Sequence, residues 1–157
     1  MKIKTVLTAM ATISFFAIAT ANAQAPAASA SGNWAKATPI LRAAVECSKP
    51  AQPVIPQLEM LGIKPLAAGD VYQFPEPVTV FGTLKASSVQ VFEGDPEMGS
   101  SYTIRLPKMT LAEVAKAARL TKEKGNGGRY LRTVKGGGMI ELSTNMDDVQ
   151  LSCIRAQ

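Results

Sequence analysis

Three carboxylates, Glu93, Asp95 and Glu97, alternate through the stretch FEGDPEMGSS, and five cations, Lys122, Lys124, Arg129, Arg132 and Lys135, fall within KEKGNGGRYLRTVKGGG. Oxygen donors clustered in a loop suit a hard cation such as calcium, and a pair of carboxylates can divide the acid and base roles of glycoside hydrolysis. The spacing of these three departs from that of an EF-hand loop. An acidic turn between two strands is ordinarily a solvated surface, and here it would present negative charge to a basic partner. The chain contains no histidine. That removes Ser-His-Asp and Cys-His catalysis and histidine-ligated zinc together, since each needs an imidazole as base or ligand. Its serines fall in neither S-x-x-K nor G-x-S-x-G, the settings that activate a serine through lysine or in a nucleophile elbow. The sequence therefore implies no cofactor, no metal and no catalytic set, and a hydrolase built on Glu93, Asp95 and Glu97 is the one enzymatic reading left.

The basic stretch, bracketed by glycines, raises the question of an anion-binding loop. A phosphate cradle places its glycines between a strand and a helix whose N-terminus points at the phosphate. Here a helical pattern precedes the glycines, so KEKGNGG reads as a helix exit and KGGG as a hairpin turn. Strand alternation also sets Arg129 and Lys135 opposite Arg132, which splits the positive surface between two faces. Single-stranded nucleic acid would need stacked aromatics, and Tyr130 is the only one nearby.

The elements that must position these groups are legible in outline. TLAEVAKAARL has a capping box in Thr110 and Glu113, a buried stripe of Leu111, Val114, Ala115 and Ala118, and Arg119 at its C-terminal end. Small residues in that stripe predict a helix lying close against a sheet. Thr38 and Pro39 suit an N-cap and first helical position, predicting a helix to about Cys47 with Ile40, Ala43, Ala44 and Cys47 on its inner face. A shorter helix fits Ile55 to Leu61. Period-two patterning predicts strands at Val71–Phe74, Val78–Phe81, Ser88–Phe92, Tyr102–Leu106, Arg129–Val134, Met139–Ser143 and Val149–Ile154. The prolines at 75 and 77 confine the first of these to an edge or a strand end. The expected fold is α+β, an antiparallel sheet with helices packed on one side. A weak echo of GDVYQF…SSVQVF in GGRYLR…DDVQLS would match Tyr72 with Tyr130 and Val89–Val91 with Val149–Leu151, and suggests two tandem α-β-β-β units.

The N-terminus carries Lys2 and Lys4, an apolar run from Val6 to Ala19 and a small-residue site, Ala21-Asn22-Ala23. This reads as a secretory signal over residues 1–23, too short and too diluted by Thr8, Thr12 and Ser14 to anchor in a bilayer. No transmembrane segment is expected after cleavage. Residues 24–33, small and uncharged, read as a disordered leader, and residues 34–157 as a single domain. Removing Lys2 and Lys4 reduces 17 basic residues to 15 against 12 acidic, so the net charge falls from +5 to +3. The two cysteines, Cys47 and Cys153, are expected to pair, because an exported chain sits in an oxidising compartment and both fall on inward faces. The expected localisation is the periplasm or, alternatively, secretion. The expected function is protein-protein recognition by a small binding protein, such as an inhibitor or immunity-type protein of an envelope enzyme. Its surface would combine Glu93, Asp95 and Glu97 with Arg129, Arg132 and Lys135. The alternative is a module for anionic glycan or lipid headgroups of the envelope; nucleic acid is not an expected partner.

Overall fold

The structure, a computed structural model, describes residues 30–48, 53–66, 69–94, 99–124, 129–145 and 148–155. The expected export signal and residues 24–29 of the leader lie outside these. Alternation of apolar and polar residues builds β1 (Val71–Val80), β2 (Leu84–Glu93), β3 (Ser100–Leu106), β4 (Thr121–Lys122), β5 (Tyr130–Val134), β6 (Gly138–Asn145) and β7 (Asp148–Arg155). They form one antiparallel sheet in the order β1-β2-β3-β7-β6-β5-β4. The helices are α1 (Ala30–Val45), α2 (Ile55–Met60) and α3 (Leu111–Ala118). The two longer ones pack on a single face of the sheet, α1 against β1, β3 and β7 and α3 against β6 and β7. This is the α+β architecture the patterning predicts.

Chain direction explains the strand order. The meander β1-β2-β3 ends at α3, and the chain then runs outward to β4 and returns through β5 and β6, so that β7 closes beside β3. Each half supplies helix and meander, and the halves meet at the β3–β7 seam. Tyr72 and Tyr130 do occupy corresponding outer strands of the two meanders. Val89–Val91 and Val149–Leu151 do not, since the first lies in β2 and the second in β7. That part of the echo follows from strand alternation, which repeats similar residues in any half-buried strand.

The core lies between sheet and helices. Tyr102, Ile104 and Leu106 of β3 and Val149, Leu151 and Cys153 of β7 are all buried and share one face, as their alternation requires. In α3, Val114, Ala115 and Ala118 are buried. Its capping box is complete: the Thr110 amide and hydroxyl donate to Glu113 Oε2 at 2.8 and 2.7 Å, and the Glu113 amide donates to Thr110 Oγ1 at 3.3 Å. The Thr110 amide bond, followed by its hydroxyl bond, holds the Glu113 carboxyl below its ordinary range.

Three expectations are corrected by packing. α1 begins at Ala30 rather than at Thr38, with Pro39 inside it and residues 30–33 of the expected leader helical. Trp34 is the cause: it is buried against Phe74, ring centroids 5.5 Å apart and planes tilted by 52°, and only a helix extended past Thr38 delivers it there. The Thr38 hydroxyl bonds the Trp34 carbonyl at 2.9 Å. Seating Trp34 also turns the buried stripe toward Leu41 and Val45 and leaves Ile40 and Ala43 half-buried. Secondly, Val71–Val80 is one strand rather than two, with a register shift between Gln73 and Val78. Pro75 and Pro77 sit within that shift, on a sheet edge where a missing N–H interrupts no ladder on the outer side. Thirdly, β4 pairs Thr121 and Lys122 with β5, an element too short to leave a periodic signal.

Cys47 and Cys153 form a disulfide, Cα atoms 5.5 Å apart, that ties the end of α1 to the central strand β7. Cys47 ends the helix with a positive φ of 53°. The Ser48 amide bonds the Ala43 carbonyl at 3.0 Å and the Cys47 amide bonds the Ala44 carbonyl at 3.2 Å, a Schellman arrangement in which glycine is the usual residue. Gly138 makes room for the bridge, because a Cβ there would lie 3.2 Å from Cys47 Sγ. Gly138→Val should therefore cost about 1–3 kcal/mol by overpacking. Urea unfolding checks this: the cost should shrink when Cys47 and Cys153 are both alanine, and an equal cost in the two backgrounds would sink the account.

Candidate functional site

Glu93 ends β2 and turns inward. Its Oε1 accepts the Val54 amide at 2.5 Å and the Tyr102 hydroxyl at 3.1 Å. Val54 is the N-cap position of α2, and by accepting its N–H Glu93 supplies from another element the bond that an N3 Glu or Gln gives in a capping box. One oxygen of the carboxylate is thus bound within the fold, and the side chain is half-buried. Burial, and then the nearby Glu93 charge, push the Tyr102 hydroxyl up to about 12. Asp95 and Glu97 lie outside the described residues. Among the described residues no group of three His, Cys, Asp or Glu side chains is arranged to hold a metal ion.

The basic trio separates. Arg129 Nη1 meets Glu141 Oε1 at 3.2 Å, with the two side chains 54% and 21% exposed. Such a pair contributes at most about 1 kcal/mol. Lys135 is exposed in the β5–β6 turn, beside Gly136 and Gly137, whose positive φ values close the hairpin. Arg132 points to the helical side, with its guanidinium carbon 5.9 Å from the centre of the Phe81 ring. Phe81 belongs to the β1–β2 turn, and β3, β7 and β6 separate it from β5 in the sheet. The sheet therefore coils around the helices far enough to bring its two outer regions together.

That coiling assembles a cavity of about 430 Å³, walled by Arg42 and Glu46 from the end of α1, Phe81, Arg119 from the end of α3, and Arg132. Sequence separation hides this group: nothing in the local pattern links positions 42, 119 and 132.

Comparison with known proteins returns no matching family model, no similar curated protein and no similar solved structure.

The second feature is the face of the sheet away from the helices. Its register aligns Phe92, Ser101, Ile154, Met139 and Thr133 in one row across β2, β3, β7, β6 and β5. The next row carries Gln90, Thr103, Ser152, Glu141 and Leu131, with Thr103 and Ser152 hydroxyls 2.8 Å apart. Phe92 is 39% exposed, and Ile154, Met139 and Leu131 are half-buried on the face away from α1 and α3, the two longer helices among the described residues. Lys85 and Arg105 stand exposed on the same face. Polar residues normally occupy a water-facing sheet surface, so three apolar side chains aligned in one row there stand out from the expected pattern. Local sequence does not flag this row, because each apolar residue, taken alone, interrupts an alternation without announcing which neighbours it meets.

Among the described residues no helix is long and apolar enough to cross a membrane.

Proposed function

We propose that the chain is an exported binding protein, of the inhibitor or immunity type, that holds another envelope or secreted protein against the open face of its sheet. The observation carrying this is the apolar group Phe92, Ile154 and Met139, aligned toward one end of that face, with Lys85 and Arg105 exposed toward the other end. On that face Glu141 is committed to Arg129 and Asp148 offsets one of the two cations, so the end opposite the apolar group keeps a small positive excess and suits a partner with an apolar patch and an acidic flank. The disulfide supports an oxidising compartment, and the signal-like N-terminus supports the periplasm or beyond. The contact surface now centres on the sheet face in place of the 93–101 loop and the Arg129, Arg132, Lys135 set.

Affinity capture from envelope extract tests it. A partner retained by the native protein should bind at least tenfold more weakly to Met139→Asp and Ile154→Asp, and equally well to Glu113→Gln on the helical side, with circular dichroism confirming that all three fold. Retention of the same partner by both aspartate variants, or of none by the native protein, would overturn the reading.

A further inference from the structure

We propose that the cavity walled by Arg42, Arg119 and Arg132 is an anion site that takes a phosphate group, free or carried on a lipid headgroup. It lies on the helical side of the sheet, independent of the protein-binding face. Three arginines line one space of about 430 Å³, a volume in the range of small-molecule sites. The opposing charge is insufficient. Among the described residues Glu46 is the one carboxylate in the wall, and its Oε1 is occupied by the Phe81 amide at 2.6 Å. The ends of α1 and α3 also meet here, and a helix C-terminus carries roughly half a negative charge. Glu46 and the two helix ends together offset about two of the three cationic charges, which leaves an excess that an anion would neutralise.

The donors are also held ready. Arg42 Nε is anchored on the Thr79 carbonyl at 3.0 Å, which leaves its terminal nitrogens uncommitted among the described residues. Arg119 has no ion-pair partner among the described residues. Arg132 is steadied by the Phe81 ring, while its buried Nε has no hydrogen-bond partner there. A small rotation toward the cavity would satisfy that N–H on an oxyanion. A carboxylate offers two oxygens and is matched by one guanidinium fork, whereas the three terminal oxygens of a phosphomonoester match forks arriving from three directions. Ser48, also in the wall, adds a hydroxyl donor.

Calorimetric titration with inorganic phosphate, and flotation with phosphatidylcholine vesicles with and without phosphatidic acid, test the proposal and separate the two sources. Binding should weaken with added sodium chloride. Arg119→Gln and Arg132→Gln should each lower affinity about tenfold to a hundredfold, as loss of a charged hydrogen bond implies, while Arg129→Gln and Lys135→Gln should leave it unchanged. Arg119 is exposed, so its variant should keep the fold even if that of Arg132 does not. Binding in both arms assigns the site to the phosphate group itself, and binding to phosphatidic acid vesicles alone assigns it to a headgroup. Binding in neither arm, or affinity unmoved by Arg119→Gln, overturns the proposal.

Discussion

Reducing the Cys47–Cys153 bond should lower the stability of this domain by about 4–5 kcal/mol, because the bridge closes a loop across a separation of 106 residues. Small domains have about 5–15 kcal/mol in total, so the reduced protein should unfold at a much lower urea concentration. Both sulfurs are buried, and reduction should therefore be slow until the domain opens. Replacement refines the test. Cys47 holds a left-handed backbone at φ 53°, which costs a residue with a Cβ about 1–2 kcal/mol and costs glycine almost nothing. The pair Cys47→Gly, Cys153→Ala should thus be about 1 kcal/mol more stable than Cys47→Ala, Cys153→Ala, measured by urea midpoints at constant slope. A midpoint that ignores reductant, with both thiols shown to be free, would remove the bridge from the account of stability.

The second large effect is alkaline. Tyr102 is buried, and first its desolvation, then the charge of Glu93, raise its hydroxyl from 10.0 to about 12, although a bond with Ser100 and the charge of Arg155 pull the other way. A folded-state value above the unfolded one means that the native protein keeps its proton where the unfolded chain has lost it. The stability this represents is complete below pH 10 and is lost as pH rises through about 12. About 2–3 kcal/mol should disappear over that window. Tyr72 is shifted in the same direction, by desolvation first and then by Asp70, Glu59 and Glu93, and adds to the slope. Urea titrations at pH 9 and pH 11.5 should show the fall in the native protein and a shallower one in Tyr102→Phe. Equal slopes in the two proteins would mean that another group controls alkaline unfolding.

The helix α3 and the strands β3 and β7 were legible because their periodicity is uninterrupted and their buried faces coincide with it. β1 was divided in two because Pro75 and Pro77 are strand breakers wherever their N–H is needed, and local sequence does not say which strand will lie at an edge. The true start of α1 is hidden for a related reason. Thr38-Pro39 is a strong start signal locally, and burial of Trp34 against Phe74 outweighs it.

The candidate sites were less legible than the fold. Glu93 carries the charge expected of a loop site, yet its Oε1 is held by Val54 and Tyr102, partners far from it or across a strand pair. Arg132 was separated from Arg129 and Lys135 by alternation alone, a two-residue period that any strand obeys.

From its own residues, the chain determined the α+β class, the inward direction of both cysteines, the capping box of α3 and the splitting of the basic stretch. These depend on neighbours within a few positions, where backbone geometry sets which side a residue faces. Only the tertiary structure decided that β7 returns beside β3, that Phe92, Ile154 and Met139 align, and that Arg42, Arg119 and Arg132 share a cavity. Those outcomes follow from strand register and sheet coiling, which are set by packing the whole buried surface at once and leave no mark at any single position.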